Sequence, residues 1–292
     1  MGRQYVIDGL RFKLGKAPTP PVHPDISFLT TSTGKIRLLD TREGKEIILI
    51  IPDGPNVIEH YFPQLEKLRA AFRVVIFDLP GFGFSTHTGS YDYSYSATNA
   101  LILEILDYIG IESVNIVFPC SHGFFGLAFT QAYPEMVKNL VLVQTPSIGE
   151  MTKWTARTVP GMLKVPYIGQ MIMPFVEKKF AHKWYNYALP KGVDRTPYQD
   201  VAVNVVKQGG CFCLCSLAQG LMANKHADLT IDPSIPTTLV HGLNDFTHKG
   251  TRFETIREYQ PKTEIISFDQ CGHFPDLEKP KLFYQLLTEK LI

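Results

Sequence analysis

The sequence has no apolar run approaching the roughly 20 residues that a bilayer-crossing helix needs, which argues against membrane insertion. Its first fifteen residues, MGRQYVIDGLRFKLG, lack the continuous apolar region of a secretory signal. The Met-Gly start carries Val at position six, where myristoylation takes Ser or Thr. Neither sign of charge dominates. The 29 Lys and Arg against 28 Asp and Glu leave a net charge of +1, so the whole-chain balance suggests neither a nucleic-acid nor an anionic-membrane partner. Internal repeats and low-complexity tracts are missing too. Cysteine is scarce: five residues, an odd number, with no secretory signal, read as reduced thiols of a cytoplasmic protein. Cys211, Cys213 and Cys215 form C-x-C-x-C, but the spacing is not that of a zinc knuckle and no second ligand pair lies close in sequence. We read them as packed core thiols and expect no metal and no cofactor.

What remains is ordinary globular composition, 45% hydrophobic and 20% charged over 292 residues. That suits one large domain with an insertion and a substantial core. From residue 26 the segments alternate. ISFLTTST and KIRLLDT read as an opening hairpin, and EIILIIP as a strand buried on both faces. The helix EHYFPQLEKLRAAF, the strand FRVVIFDLP, the helix SATNALILEILDYIGI and the strand VNIVF follow. GFFGLAFTQAYPEMV reads as a helix and LVLVQTP as a strand. This β-α series implies a mostly parallel central sheet flanked by helices. The rhythm breaks after Pro146. Residues 147–235 show helical stretches with several prolines and no strand series. It returns with TTLVHGLND, a helix at GTRFETIREY, the strand TEIISFD and a final helix KPKLFYQLLTEKL. The division is a core of 1–146 and 236–292, with a helical cap over 147–235.

Chemistry concentrates at strand ends. IIPDGP (50–55), FDLPGFGFS (77–85), VFPCSHG (117–123), HGLND (241–245) and CGHFPDLEKP (271–280) each close or follow a strand. Within the third, a cysteine, a serine and a histidine stand in a row. The glycines of PGFGF lack the third Gly and the downstream acid of a phosphate loop and read as a structural turn. Most of the aromatic and Met-rich residues of 147–235 read as packing rather than ligand contacts.

In this order and wording the segments resemble the α/β-hydrolase superfamily, in its cap-bearing branch, over roughly residues 26 to 292. FDLPGFGFS, AYPEMVKNLVLV and GHFPDLEKP carry the likeness. The resemblance implies an α/β-hydrolase fold with the cap after the sixth strand, and a nucleophile, an acid and a histidine in that chain order. Asp245 takes the acid's position and His273 the base's. His248 matches no motif position and reads as a loop residue. At the elbow two registers stay open. With Ser121 as nucleophile, Gly123 fills one of the two small flanking positions; with Cys120, bulky Phe118 and His122 flank it. Family spacing instead favours Cys120, counted without a gap from Gly110 and with Pro134 fourteen residues after it. A helix N-terminus and a nearby His273 are expected to lower a thiol there toward the reactive range.

The family's oxyanion word, His-Gly-x, appears here as Asp53-Gly54-Pro55, and proline supplies no N–H. The candidate substrate and oxyanion contacts are therefore Gly54, Asn56, Ser121 and His122. The implied activity is cofactor-free hydrolysis of a small apolar acyl compound, of esterase, thioesterase or C–C hydrolase type. The alternatives are a non-hydrolytic enzyme using the His–Asp pair as general base, and a non-catalytic ligand-binding relative. The expected partner is a small apolar organic substrate, with no nucleic acid; a homo-oligomer is possible.

Overall fold

The computed structural model describes residues 3–15 and 17–292. Helix α1 (Val6–Leu14) precedes the expected hairpin of β1 (Ile26–Thr30) and β2 (Lys35–Asp40), in which Ile26 faces Leu39. Then come β3 (Glu46–Ile50), α2 (Phe62–Arg69), β4 (Phe72–Phe77), the two-residue β5 (Phe82–Gly83) and α3 (Tyr95–Tyr108). Strand β6 (Val114–Pro119), α4 (Gly123–Ala132) and β7 (Val137–Val143) follow. Eight strands, including β9 (Thr237–Gly242) and β10 (Glu264–Phe268), form one sheet in the order β1-β2-β4-β3-β6-β7-β9-β10. From β4 onward all neighbours are parallel; only β1–β2 and β2–β4 are antiparallel. Every residue of β6 is buried, as in a central parallel strand, and its polar Asn115 donates from Nδ2 to Ile47 O at 3.0 Å.

After β7, the sixth strand of this sheet, come α5 (Ile148–Thr158), α6 (Ile168–Ala188), α7 (Thr196–Lys207), the short β8 (Cys211–Phe212) and α8 (Leu214–Ala223). Strand β8 pairs with β5, tying the inserted helices to the PGFGF turn. The chain closes with α9 (Pro275–Glu278) and α10 (Pro280–Leu291). Two helical readings need correction. The helix begun at Gly123 stops at Ala132, and 134–136 make a 3-10 turn, because Pro134 has no N–H to continue the ladder. The helix in GTRFETIREY is a 3-10 segment, Phe253–Glu258. Helix α1, which the periodicity did not show, sits against the inserted helices. Arg11 pairs with Glu177 of α6, and Ser216 Oγ of α8 donates to Asp8 Oδ2 at 2.5 Å. No helix among the described residues is long and apolar enough to cross a membrane.

Five strand ends converge on one edge, where parallel α/β sheets place their ligands. The sharpest junction is β6 to α4. Cys120 has φ +48, a left-handed conformation that costs a non-glycine residue about 1–3 kcal/mol. Thr145, just beyond β7, holds it there by donating from Oγ1 to Cys120 O at 2.9 Å. Gly123 must be small: a Cβ on it would lie 2.2 Å from Thr145 Oγ1. A Cβ on Gly161 would meet nothing within 4 Å. Gly123→Ala is therefore expected to destabilise by about 1–3 kcal/mol in urea unfolding, and Gly161→Ala to stay within about 0.5 kcal/mol of the parent. Equal effects at the two positions would contradict the tight-elbow account.

Candidate active site

The acid and the histidine meet. His273 Nδ1 lies 2.6 Å from Asp245 Oδ2, and both side chains are about 1% exposed. Asp245 is held on all sides: Oδ1 accepts from the Thr247 N–H at 2.8 Å and the Thr247 hydroxyl at 2.7 Å, and Oδ2 also accepts from Gln144 Nε2 at 2.9 Å. Burial would raise the Asp245 carboxyl, but the charge and hydrogen bond of His273 bring it below the ordinary value. Gln144 was not legible as a site residue. It follows β7 directly, has φ +55, and its amide also donates to Gly272 O at 3.0 Å, bracing the turn before His273. From the other side the His273 N–H donates to Ala188 O at the end of α6, at 2.8 Å.

The other nitrogen of His273 faces a second carboxylate. Asp53 Oδ2, just beyond β3, lies 3.0 Å from His273 Nε2. This is an ion-pair distance, although the ring N–H is not aimed for a regular hydrogen bond. Burial alone would lower the His273 imidazolium; the charge and hydrogen bond of Asp245, with Asp53 adding, override it and hold the group well above 6.5. Its two carboxylate neighbours thus favour the protonated form of His273. Its protonated form is the stabilised one, so its contribution to stability is full below about pH 6.5 and is lost as pH rises through the higher folded value.

Cys120 shares a small chamber with Asp53, Gly54, Ser121 and His273, about 60 Å³ in volume and walled by Trp154 and Trp184. One ligand-type atom each of Cys120, His248 and His273 lies within 4.8 Å of the others. Among the described residues this is the one such cluster, and its thiol and two imidazoles could hold a soft divalent ion. The expectation of a lowered thiol is not met. Burial pushes Cys120 up to about 11, with the Asp53 charge adding and His273 only partly offsetting. The helix N-terminus does not compensate for removing the thiolate from water.

The remaining candidates divide. Ser121 and Gly54 line the chamber, and a Cβ on Gly54 would come within 2.8 Å of the Phe82 ring. Asn56 is not part of that lining: its N–H donates to Asp53 O at 2.8 Å and its Oδ1 accepts from Tyr185 at 2.8 Å. The His122 ring also lies outside it, fully buried beside Phe82 and Phe125, and burial lowers it to about 4. His248 is more than a loop residue. It is buried, its ring centre 5.2 Å from that of His273, and burial with the His273 charge lowers it to about 3. Cys211, Cys213 and Cys215 are buried free thiols; Cys215 lines the far wall of the chamber, and Cys211 Sγ donates to Gly81 O at 3.0 Å.

A family model described as alpha/beta hydrolase fold matches residues 46–280. A 2-hydroxy-6-oxononadienedioate/2-hydroxy-6-oxononatrienedioate hydrolase of Klebsiella pneumoniae is 33% identical, covering 90% of this chain and 94% of its own. Lipase 3 of a Moraxella species is 26% identical over 88% of this chain and 81% of its own. Among solved structures, epoxide hydrolase A of Mycobacterium thermoresistibile superposes with a TM-score of 0.73 at 14% identity, over 91% of this chain and 98% of that one.

The charge state of His273 is directly measurable. In a nitrogen-15 NMR pH titration its imidazole is expected to stay protonated well above pH 6.5, and Asp53→Asn to lower the midpoint by removing one of its two anions. Titration near 6.5 in the parent, or no change in the variant, would contradict the two-carboxylate arrangement.

Proposed function

Because this chain belongs to the α/β-hydrolase fold family and is an enzyme of that fold, we propose that it hydrolyses a small, largely apolar acyl compound through Cys120, His273 and Asp245. The observation that carries the reading is the shared chamber in which a strained elbow cysteine meets a histidine already fixed by a buried acid. Residues 147–235 act as its cap. Trp154 and Trp184 make the chamber wall apolar and exclude water. The hydrolase names of the relatives agree with the reaction type, and the apolar chamber wall supports an apolar substrate.

Asp53 has a part in this chemistry. With His273 already protonated, the free proton acceptor beside Cys120 is the Asp53 carboxylate. Cys120 gives its proton to Asp53 as sulfur attacks the carbonyl carbon. The carbonyl π bond opens to an oxyanion, and the newly formed Asp53 carboxylic acid offers an O–H to it. That O–H stands in for the N–H missing at Pro55. His273 protonates the leaving group as the tetrahedral species collapses to an acyl-cysteine. Neutral His273 then takes a proton from water as the water oxygen attacks. Collapse expels the Cys120 sulfur, which recovers its proton from Asp53. Atoms and charges balance, and the products are a carboxylic acid and the protonated leaving group.

One observation favours a second reading. A carboxylate and an imidazolium already paired at 3.0 Å form an acid–base couple that needs no covalent intermediate, as a non-hydrolytic reaction would use. Variant kinetics on soluble activated esters separate the two. Cys120→Ala is expected to lower kcat/KM by about a thousandfold or more, and Ser121→Ala by less than about tenfold. Asp53→Asn is expected to lower it by about a hundredfold or more. Retained turnover in Cys120→Ala with loss in Asp53→Asn would sink the acyl-cysteine reading in favour of the acid–base couple.

A further inference from the structure

The charge balance of the whole chain conceals a one-sided region. Residues 157–191 hold six cations, Arg157, Lys164, Lys178, Lys179, Lys183 and Lys191, and a single carboxylate, Glu177. Glu177 is buried and taken by Arg11 of α1. The same region exposes a concentration of large apolar side chains. Met162 is 63% exposed, Met171 62% and Phe175 88%, and Val165, Tyr167 and Ile168 are exposed beside them. These six are drawn from sixteen such residues in the described chain, yet they fall within fourteen positions. On α6, Ile168, Met171 and Phe175 recur at i, i+3 and i+7, so they share one outward stripe. Lys178, Lys179 and His182, all exposed, continue that stripe over the next turns. The opposite face of α6, with Met173, Ala181, Trp184 and Tyr185, is buried.

The stripe borders a cavity that shares a wall with the candidate site. That cavity, of about 500 Å³, is lined by Arg157, Lys179 and Lys183, and by Phe180 and Trp184. The last two also wall the chamber at Cys120. One surface thus joins exposed apolar anchors, uncompensated cations and the approach to the site.

We propose that this face docks on an anionic phospholipid surface. Met171 and Phe175 enter the boundary between headgroups and acyl chains, and the lysines meet the lipid charges. Charge selects this occupant. A second copy of the chain, joined by a two-fold axis, would set these cations against their own kind. Nucleic acid would match the charge but give Met171 and Phe175 nothing apolar to enter. Docked this way, the protein takes an apolar substrate toward its chamber from the lipid rather than through water. Attachment is peripheral and involves no membrane-crossing helix.

The test uses the full-length protein and sucrose-loaded vesicles, of phosphatidylcholine alone or with roughly one-third phosphatidylserine. The protein is expected to sediment with the mixed vesicles, hardly with phosphatidylcholine alone, and to be released by high salt. Lys178→Glu with Lys179→Glu, and separately Met171→Ser with Phe175→Ser, are each expected to weaken binding by roughly tenfold or more. Lys225→Glu, an exposed cation elsewhere, should leave it unchanged. All these positions are exposed, so the unfolding midpoint serves as the folding control. Absence of vesicle binding, equal binding to both compositions, or binding indifferent to both double variants would overturn the proposal. So would a dimer in sedimentation velocity that Phe175→Ser dissolves, which would give the face to a second copy. Binding is read without turnover, so its failure is distinct from failure of the hydrolase reading.

Discussion

A buried histidine held between two buried carboxylates is the interaction on which the candidate site depends. Asp245 fixes one nitrogen of His273 and Asp53 sits against the other. Each charge would be costly alone in such a setting; together they hold one another in place. The consequence reaches Cys120. With the imidazolium shared by two anions, a thiolate would be a third negative charge in a chamber nearly closed to water, so the thiol stays protonated. The burial around Cys120 therefore works against a thiolate–imidazolium pair. In the proposed mechanism the reactivity of Cys120 depends on where the thiol proton can go when a substrate carbonyl arrives, and Asp53 is the acceptor proposed for it.

The scaffold serves this arrangement from several directions. The left-handed elbow at Cys120 is maintained by the Thr145 hydroxyl and by a helix start that tolerates only glycine at 123. Gln144 bridges Asp245 and the turn before His273. The end of α6 binds the His273 backbone through Ala188. The same helix that anchors the histidine thus presents Met171 and Phe175 outward, so the proposed lipid-facing stripe and the backbone hold on His273 belong to one element.

Much of this could be read from the residues in order. The alternating strand and helix segments gave the sheet and the inserted helices, because buried parallel strands such as VNIVF have a pattern of their own. Asp245 and His273 were legible because each follows a strand within a distinctive word. The partners of His273 were not. Asp53 is adjacent to it only through the β3–β10 arrangement of the sheet, some 220 residues apart in sequence. Read locally, Asp53 was only a departure from a family word, and Gln144 was only the residue after a strand. The fate of Cys120 also depended on burial: the helix N-terminus and His273 argue for a low pKa, and desolvation outweighs them. Asn56 and His122 lie outside the chamber lining for a similar reason, since proximity in sequence says nothing of which way a side chain turns. Aromatic neighbours hold both side chains.

The central claim is that Cys120 carries the acyl group and that His273 governs its formation. Intact mass after brief exposure to an activated acyl ester, with peptide mapping and His273→Ala as control, tests it most directly. The account predicts a single acyl adduct on Cys120 that is absent from the variant. An adduct on Ser121, an adduct indifferent to His273, or none at all would contradict it.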